Sequence, residues 1–183
     1  MDNYLIRQRM KEKRESLSAA EHQKLSFIIS NTILHSLDYK TANTIGIYAS
    51  IANEVDTYEI IRKALEDGKT VCLPKVVGKN LLFYQITSMR DLSEGHFRVL
   101  EPTTEKIIND INCMYIPLLA FNKQNYRIGY GKGYYDRYLM NVRTRKIGLA
   151  FSFQFHPAIE VHSLDIPMDQ IITELGVNKI EKN

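Results

Sequence analysis

Apolar and polar positions follow two different periods along the chain. In the first 37 residues, apolar side chains such as Leu25, Ile29 and Ile33 recur every three or four positions, which predicts two helices. The run Ser18-Ala19-Ala20-Glu21 fits a capping box, in which a hydroxyl and a carboxylate satisfy free backbone N–H groups. The N-terminal part is therefore predicted to be a helical pair.

After residue 37 the pattern changes to short β-rich runs that alternate with helical segments. The predicted strands are 44–49, 70–74, 81–86 (antiparallel, at an edge), 113–119, 146–151 and 171–172, and the predicted helices begin at 56 or 57 and at 133 or 134. Run 113–119 is almost entirely apolar, as in a strand buried on both faces. This alternation predicts a three-layer α/β/α fold with a mostly parallel, Rossmann-like sheet. Without a linker-like segment, residues 1–183 are predicted to form a single domain.

Composition excludes some classes of protein. With 44% hydrophobic and 25% charged residues, the chain is not disordered as a whole, and no apolar stretch approaches the ~20 residues of a membrane span. Cys72 and Cys113 lie in apolar runs without metal-ligand spacing, which favours buried thiols in a reducing cytoplasm. A net charge of +3 does not demand nucleic acid, but residues 7–14 and 137–146 are locally basic. Such clusters are either solvated helix faces or phosphate contacts.

Ligand sites in parallel sheets lie at the carboxyl ends of the strands, here residues 50–56, 120–136 and 151–169. Within them, the glycines of Arg127-Ile128-Gly129-Tyr130-Gly131-Lys132-Gly133 let a ligand approach the backbone, and a helix begins just after them. Arg127 and Lys132 add two cations, so the loop suits a polyphosphate. It is not a Walker A loop, because Gly133 follows Lys132. Nor is it a Rossmann fingerprint, because the glycines alternate and no predicted strand runs directly into them.

Tyrosines crowd the same segment, where they can stack on a flat heterocycle or pack in the core; for Tyr135 and Tyr138 we favour the core. Asp136 begins the next helix, where it either complements the helix dipole or holds Mg²⁺ beside phosphates. Asp165 and Asp169 follow the strand at 146–151 and could reach the same face.

The loop after the first strand offers Glu54 as an acceptor for a ligand rich in N–H donors, such as a pterin or purine. Asp56 is predicted to cap the helix that follows. There is no GxSxG motif and no histidine pair with zinc spacing, so neither nucleophilic nor zinc catalysis finds support.

The run Tyr126 to Tyr138 resembles the signature of the 5-formyltetrahydrofolate cyclo-ligases, also called 5,10-methenyltetrahydrofolate synthetases. Further matches occur in the same order along the chain: Arg7, Glu54-Val55-Asp56-Thr57, Leu73-Pro74-Lys75, Glu101-Pro102, Ile116-Pro117-Leu118 and Ile172-Thr173-Glu174. The resemblance implies that ATP and Mg²⁺ are used to convert 5-formyltetrahydrofolate to 5,10-methenyltetrahydrofolate, with release of ADP and phosphate. It also implies the mechanism, in which the formyl oxygen takes the γ-phosphoryl group and N10 then attacks the activated carbon.

The same resemblance implies roles for individual residues. ATP would contact Arg7, Arg127, Ile128, Gly129, Tyr130, Gly131, Lys132, Gly133, Tyr134 and Tyr135. The folate would contact Ala49, Glu54, Tyr130, Gly131, Lys132, Gly133 and Tyr134. Catalysis would fall to Arg127, Lys132 and Tyr134, and Mg²⁺ to Asp136 and Asp165. One position departs from the family pattern: Asn3 stands where a lysine is common, four residues before Arg7.

Two alternatives remain open at this point. One is a non-catalytic nucleotide- or RNA-binding module, which would use the basic helix and the tyrosines as a clamp and a stacking platform. The other is a sugar-phosphate isomerase, which would need a general base that the sequence does not display. The favoured hypothesis is the cyclo-ligase, a cytoplasmic monomer that acts on 5-formyltetrahydrofolate, with or without a polyglutamate tail, and that has no nucleic-acid or membrane partner.

Overall fold

The computed structural model describes residues 2–95 and 98–178. The helices are α1 (Asn3–Glu15), α2 (Ala19–His35), α3 (Leu37–Thr41), α4 (Tyr58–Glu66) and α5 (Tyr134–Leu139). The strands are β1 (Thr44–Ile47), β2 (Thr70–Val77), β3 (Asn80–Ile86), β4 (Leu92–Glu94), β5 (Leu100–Pro102), β6 (Cys113–Pro117), β7 (Ala120–Phe121), β8 (Arg127–Ile128), β9 (Arg145–Leu149), β10 (Gln170–Thr173) and β11 (Gly176–Asn178). Each predicted helix and strand is present, with ends shifted by a few residues. The short elements α3, β4, β5, β7, β8 and β11 were not predicted.

Seven of these strands form one sheet, in the order β3-β2-β1-β6-β9-β10-β11. The five inner strands are parallel, and the two edge strands, β3 and β11, are antiparallel to their neighbours. The prediction of a mostly parallel sheet with an antiparallel edge at residues 81–86 is therefore confirmed.

The sheet is covered on both faces, as the apolar run of β6 predicts. Successive β6 residues alternate, with Cys113 and Tyr115 in one core and Met114 and Ile116 in the other. The first core is closed by the long helix α2 together with α4. The second is closed by the short helix α5 and by segments around Ile111 and Met168, so this layer of the three-layer fold is thinner.

The two N-terminal helices pack against different parts of the molecule. The capping box at Ser18 and Glu21 is present at the start of α2, whose apolar side packs on the sheet. Ile6 and Met10 of α1 pack instead on the hairpin of β7 and β8, against Ala120, Ile128 and Ile159. Helix α1 is thereby held beside the loops that leave the central strands.

The direction of the chain reverses between β1 and β6. After β1 the chain passes through α4 to β2 on one side, whereas after β6 it passes through α5 to β9 on the other. The loops 48–57 and 118–133 therefore leave the carboxyl ends of neighbouring parallel strands. Such a reversal is where α/β sheets open a crevice for ligands.

The predictions of buried cysteines and of no membrane-spanning stretch can be compared with the structure. Cys72 and Cys113 are buried free thiols, and burial raises the pKa of each to about 12. Among the described residues, no helix combines the length and the apolar character that crossing a bilayer requires.

Candidate active site at the carboxyl ends of β1 and β6

The loop after β1 is held rigid by its own hydrogen bonds. The Tyr48 hydroxyl donates to the carbonyl of Val55 at 2.9 Å, and the Thr57 hydroxyl donates to the carbonyl of Tyr48 at 2.6 Å. Ala49 is buried beside them. The predicted cap is one residue off: Thr57 is the N-cap residue of α4 and makes no side-chain cap bond, while Asp56, just before it, accepts the N–H of Tyr58 at 2.9 Å. This closed loop directs Glu54 into the molecule.

Glu54 is a buried carboxylate, with 5% of its surface exposed. Its Oε1 accepts the Tyr130 hydroxyl at 2.7 Å, and its Oε2 accepts the N–H of Ile51 at 2.9 Å. Burial raises the pKa of Glu54 above its ordinary value because the charged form is poorly solvated, although these donors and a nearby guanidinium oppose the shift. A carboxylate held this way keeps lone pairs for further N–H donors.

The loop after β8 needs glycine at two positions. Gly131 and Gly133 have φ values of +94° and +67°, which other residues rarely adopt. β8 runs directly into this loop, so the expectation that no strand precedes it is wrong; a strand of two residues carries no readable periodicity. Helix α5, which follows, has only six residues, so its dipole attracts an anionic ligand only weakly. The cations of the loop therefore contribute more to such binding than the helix does.

Tyr130 joins the two loops. The residue is 44% exposed, and its hydroxyl lies between Glu54 and Arg14, whose Nη2 donates to it at 2.9 Å. Burial, followed by the charge of Glu54, raises the pKa of Tyr130, so the phenol stays protonated and can donate.

Helix α1 contributes two arginines to the site. The Arg7 Nε donates to the carbonyl of Gly129 at 2.9 Å, and the Arg7 guanidinium lies beside Gly131. Arg14, two helical turns later, reaches Tyr130 and is itself buried. Asn3, at the position of the family lysine, is occupied elsewhere, because its amide both donates to and accepts from the backbone of Glu160.

Arg127 and Asp136 form an ion pair under the glycine loop. The Arg127 Nη1 lies 3.1 Å from Oδ1 and 3.3 Å from Oδ2 of Asp136, and both side chains are largely buried. Asp136 also accepts the N–H of Ile166, the residue that follows Asp165. Asp165 accepts the N–H of His162 at 2.8 Å, so both carboxylates are partly occupied by protein donors.

Asp136 and Asp165 are the two carboxylates predicted to hold Mg²⁺. Among the described residues, no group of three or more His, Cys, Asp or Glu side chains could hold a metal ion. Mg²⁺ nevertheless takes few protein ligands and fills its octahedron with water and phosphate oxygens. Asp136 and Asp165 supply carboxylates of the kind that Mg²⁺ uses, although Arg127 already pairs with Asp136.

The remaining residues of the loop differ in exposure. Lys132 is exposed, and its ammonium has no hydrogen-bond or ion-pair partner in the part of the chain that the structure describes. Tyr134 is half-buried under the Arg137 guanidinium, which lies 5.2 Å from its ring centre. Tyr135 and Tyr138 pack on the second core, as predicted.

Asp169 does not belong to this site. Its carboxylate accepts the N–H of Lys146 at 2.7 Å and pairs with the same residue's ammonium at 3.3 Å. Lys146 lies near the start of β9, so Asp169 is at the amino ends of the strands, opposite the candidate site. The expectation that it could reach the carboxyl face is wrong.

A cavity of about 760 Å³ lies between β3 and α5. Tyr134 lines it, whereas Glu54 and Tyr130 do not. The cavity therefore lies beside the loop after β1 and the glycine loop, and not between them.

Sequence reasoning did not single out Arg14 or His22. Arg14 follows Ile6 and Met10 at steps of four, so it continues the buried face of α1, and that spacing could have marked it. His22 of α2 contacts the backbone carbonyl of Glu54 at 2.6 Å through its Nε2. Nothing in the local sequence signals that long-range contact.

The fold and the paired loops place the chain among α/β proteins that bind ligands at the switch point of a parallel sheet. Comparison with known proteins narrows this class. Residues 2–174 match the model of the 5-formyltetrahydrofolate cyclo-ligase family. The chain belongs to this family, which is a family of enzymes, and the resemblance noted from the glycine–tyrosine run is confirmed.

Relatives and solved structures agree with this assignment. The 5-formyltetrahydrofolate cyclo-ligase of Mycoplasma pneumoniae is 33% identical over 178 residues, which are 95% of this chain and 99% of that protein. The protein of the same name from Mycoplasma genitalium is 35% identical, over 85% of this chain and 88% of its own length. The NMR structure of the Aquifex aeolicus 5,10-methenyltetrahydrofolate synthetase matches with a TM-score of 0.90 at 31% identity, covering 100% of this chain and 95% of that one.

Proposed function

We propose that the chain converts 5-formyltetrahydrofolate to 5,10-methenyltetrahydrofolate, using ATP and Mg²⁺ and releasing ADP and phosphate. The observation that carries the proposal is the hydrogen bond between Tyr130 and Glu54, which sets a buried acceptor beside a cationic glycine loop. The folate needs the buried acceptor, and the triphosphate of ATP needs the cationic loop.

The folate is bound through Glu54. A pterin ring presents several N–H donors, and a buried carboxylate makes strong, directional hydrogen bonds to such donors. Ala49 is buried in the loop that follows β1, which is the loop that carries Glu54, while Tyr130 and Tyr134 offer aromatic surface.

The triphosphate is bound by the glycine loop and its cations. Arg7 already touches the loop at Gly129, Lys132 is free to meet phosphate, and Arg127 lies beneath. The ATP set is Arg7, Arg127, Ile128, Gly129, Tyr130, Gly131, Lys132, Gly133, Tyr134 and Tyr135. Phosphoryl transfer needs charge neutralisation and alignment more than a protein nucleophile, which suits a site without one.

In the reaction, the formyl oxygen attacks the γ-phosphorus and ADP leaves. N10 then attacks the activated formyl carbon, loses its proton, and phosphate leaves as the ring closes. Arg127 and Lys132 stabilise the negative charge that moves over the phosphoryl oxygens. Tyr134 orients the reacting groups from the start of α5.

Asp136 and Asp165 would hold Mg²⁺ together with phosphate oxygens and water. When bound, the ion supplies charge neutralisation and a fixed arrangement of the phosphates. Arg127 pairs with the same Asp136 carboxylate that would bind the ion, so the role of Arg127 here is to position that carboxylate.

The proposal extends to the setting of the reaction. One protomer supplies Glu54, Tyr130 and Lys132, which supports a monomeric, single-domain enzyme with a complete site. Two buried free thiols support a reducing cytoplasm. Arg7 and Arg14 point into the site, which weakens the case for a basic surface that binds nucleic acid.

The test is the release of ADP by purified protein with Mg²⁺-ATP, with and without 5-formyltetrahydrofolate. We expect release that depends on the folate and falls when glutamate at position 54 becomes glutamine. Folate-independent hydrolysis, or none, would count against the proposal. Binding to RNA that falls steeply with salt and survives Glu54→Gln would favour the binding-module alternative instead.

A further inference from the structure

Arg14 contacts both loops of the candidate active site from helix α1. Its Nη2 donates to the Tyr130 hydroxyl of the glycine loop at 2.9 Å. Its backbone carbonyl accepts the side-chain amide of Asn53, the neighbour of Glu54, at 2.7 Å. Only 5% of the residue is exposed, which is rare for an arginine and calls for a compensating role.

The hydrogen bonds from Arg14 through Tyr130 to Glu54 have a single direction. A guanidinium can only donate, so the Tyr130 oxygen accepts from Arg14. The one hydroxyl proton is then directed to Oε1 of Glu54, 2.7 Å away. Without the guanidinium, that proton could turn elsewhere, and the Glu54 carboxylate would lose its fixed orientation.

Charge acts in the same sense as geometry. Glu54 is surrounded by groups that do not supply positive charge: Tyr48 after β1, Tyr58 of α4, and Tyr130 and Tyr135 of the glycine loop and α5. The His22 Nε2 lies 2.6 Å from the backbone carbonyl of Glu54, and the Lys11 ammonium lies 5.8 Å from the centre of the Tyr130 ring. Arg14 opposes the rise that burial imposes on the pKa of Glu54.

We infer that Arg14 is a positioning residue for the folate-binding carboxylate, because it directs the Tyr130 proton to Glu54 and keeps Glu54 a hydrogen-bond acceptor. The inference rests on the proposed function, in which Glu54 binds the folate. Its buried Nε, which has no hydrogen-bond partner within residues 2–95 and 98–178, makes an arginine costly here for packing alone.

The test compares Arg14→Met with Arg14→Lys, measuring kcat/KM for 5-formyltetrahydrofolate and for ATP as functions of pH. Loss of the positive charge favours the protonated form of Glu54, in which one acceptor oxygen becomes an O–H donor, so its hydrogen bonds to the N–H groups of the folate weaken. In Arg14→Met we expect the acid limb of the kcat/KM profile for 5-formyltetrahydrofolate to move up by about one pH unit, and the folate KM measured on that limb to rise about tenfold. The KM for ATP should change less than the KM for the folate. Arg14→Lys keeps the positive charge, so its acid limb should lie closer to the wild-type position than that of Arg14→Met.

Two variants separate this role from a general effect of charge. The Lys11 ammonium lies 5.8 Å from the centre of the Tyr130 ring, almost the same distance as the 5.9 Å of the Arg14 guanidinium. Among the described residues, Lys11 makes no hydrogen bond to the Tyr130 hydroxyl, so Lys11→Met removes a nearby cation and leaves that bond intact. We expect its acid limb to stay in place. His22→Gln, measured in the same way, removes the imidazole ring beside the Glu54 carbonyl and should also leave the limb in place.

An unmoved limb in Arg14→Met, or an equal shift in Lys11→Met or His22→Gln, would overturn the inference. If Arg14→Met does not fold, Tyr130→Phe breaks the same chain with Arg14 in place, and an unmoved limb there overturns it equally. If Glu54→Gln leaves the folate KM unaltered, the proposed folate site fails first. If Glu54→Gln raises that KM while Arg14→Met matches the wild type, only the role of Arg14 fails.

Discussion

The hydroxyl of Tyr130 donates a 2.7 Å hydrogen bond to the carboxylate of Glu54, across 76 residues of sequence. The bond connects the loop after β1 with the glycine loop that follows the β7–β8 hairpin, at the point where the sheet reverses its direction. Neither loop alone offers both a buried acceptor and a cationic cradle. The proposed reaction therefore depends on the contact between them.

Glu54→Gln is expected to raise the KM for 5-formyltetrahydrofolate while leaving the fold intact. The amide keeps the size of the carboxylate but loses its charge and one acceptor, which costs about 1.5–3 kcal/mol of binding. Steady-state kinetics and circular dichroism measure the two effects. Glu59→Gln, the same change on the exposed face of α4, serves as the control. An unaltered folate KM in Glu54→Gln would remove Glu54 from the site.

Tyr130→Phe is expected to lower both folate affinity and stability. The ring remains, but Glu54 and Arg14 each lose a partner in a buried place, so the free energy of unfolding should fall by about 1–3 kcal/mol. Chemical denaturation measures this loss. Tyr4→Phe, on the exposed face of α1, should unfold like the wild type. Equal stability of the two variants would mean that the hydroxyl bonds contribute nothing.

Stability should depend on pH through Glu54. Burial raises its pKa in the folded protein above the unfolded value of 4.5, so the folded state binds the proton more tightly. Its contribution to stability is then greatest below pH 4.5 and is lost as pH rises through the folded pKa. The difference in melting temperature, Glu54→Gln minus wild type, should increase over that window. A difference that is constant with pH, or that decreases, contradicts the pKa assignment.

Lys132→Ala is expected to weaken the use of ATP without changing stability. Its ammonium has no partner among the described residues, so folding loses nothing, whereas a charged hydrogen bond to phosphate is worth about 1.5–3 kcal/mol. The KM for ATP and the melting temperature are measured together. Lys24→Ala, an exposed change on α2, is the control for charge. Normal ATP kinetics in Lys132→Ala would refute the role.

Gly133→Ala tests the shape of the glycine loop. Its φ of +67° strains any other residue, and a Cβ would lie 2.9 Å from the Arg137 Nη1, so stability should fall by about 1 kcal/mol and the KM for ATP should rise. Gly78→Ala has a φ of +63° in the turn between β2 and β3, with open space around it. It should show a similar loss of stability with normal kinetics. If both variants have normal ATP kinetics, the loop does not bind the nucleotide.

The periodic parts of the fold could be predicted from the sequence, because helices and strands of ordinary length repeat their apolar positions. The strand at 81–86 follows from such a pattern, whereas the capping box at Ser18 follows from the spacing of Ser18 and Glu21. The hairpin of β7 and β8 could not be, since its strands have two residues each. It is nevertheless the support on which α1 packs beside the site.

The candidate site was only partly predictable. Glu54 and the glycine loop were located by the rule that sites lie at the carboxyl ends of parallel strands. Their direct bond, and the contact of His22 with the Glu54 carbonyl, are long-range and leave no local signal. Asp169 was misplaced because its distance from the preceding strand does not reveal that the chain has returned to the amino edge before it.

The central claim is that this chain closes the methenyl ring at the expense of ATP. The most direct measurement is absorbance at the methenyl-folate band, with purified protein, 5-formyltetrahydrofolate and Mg²⁺, in the presence and absence of ATP. We predict a rise that requires ATP and is slowed in Lys132→Ala and Glu54→Gln. No rise from folded protein, with the nucleotide varied, would contradict the account and would mean that the glycine loop serves another ligand.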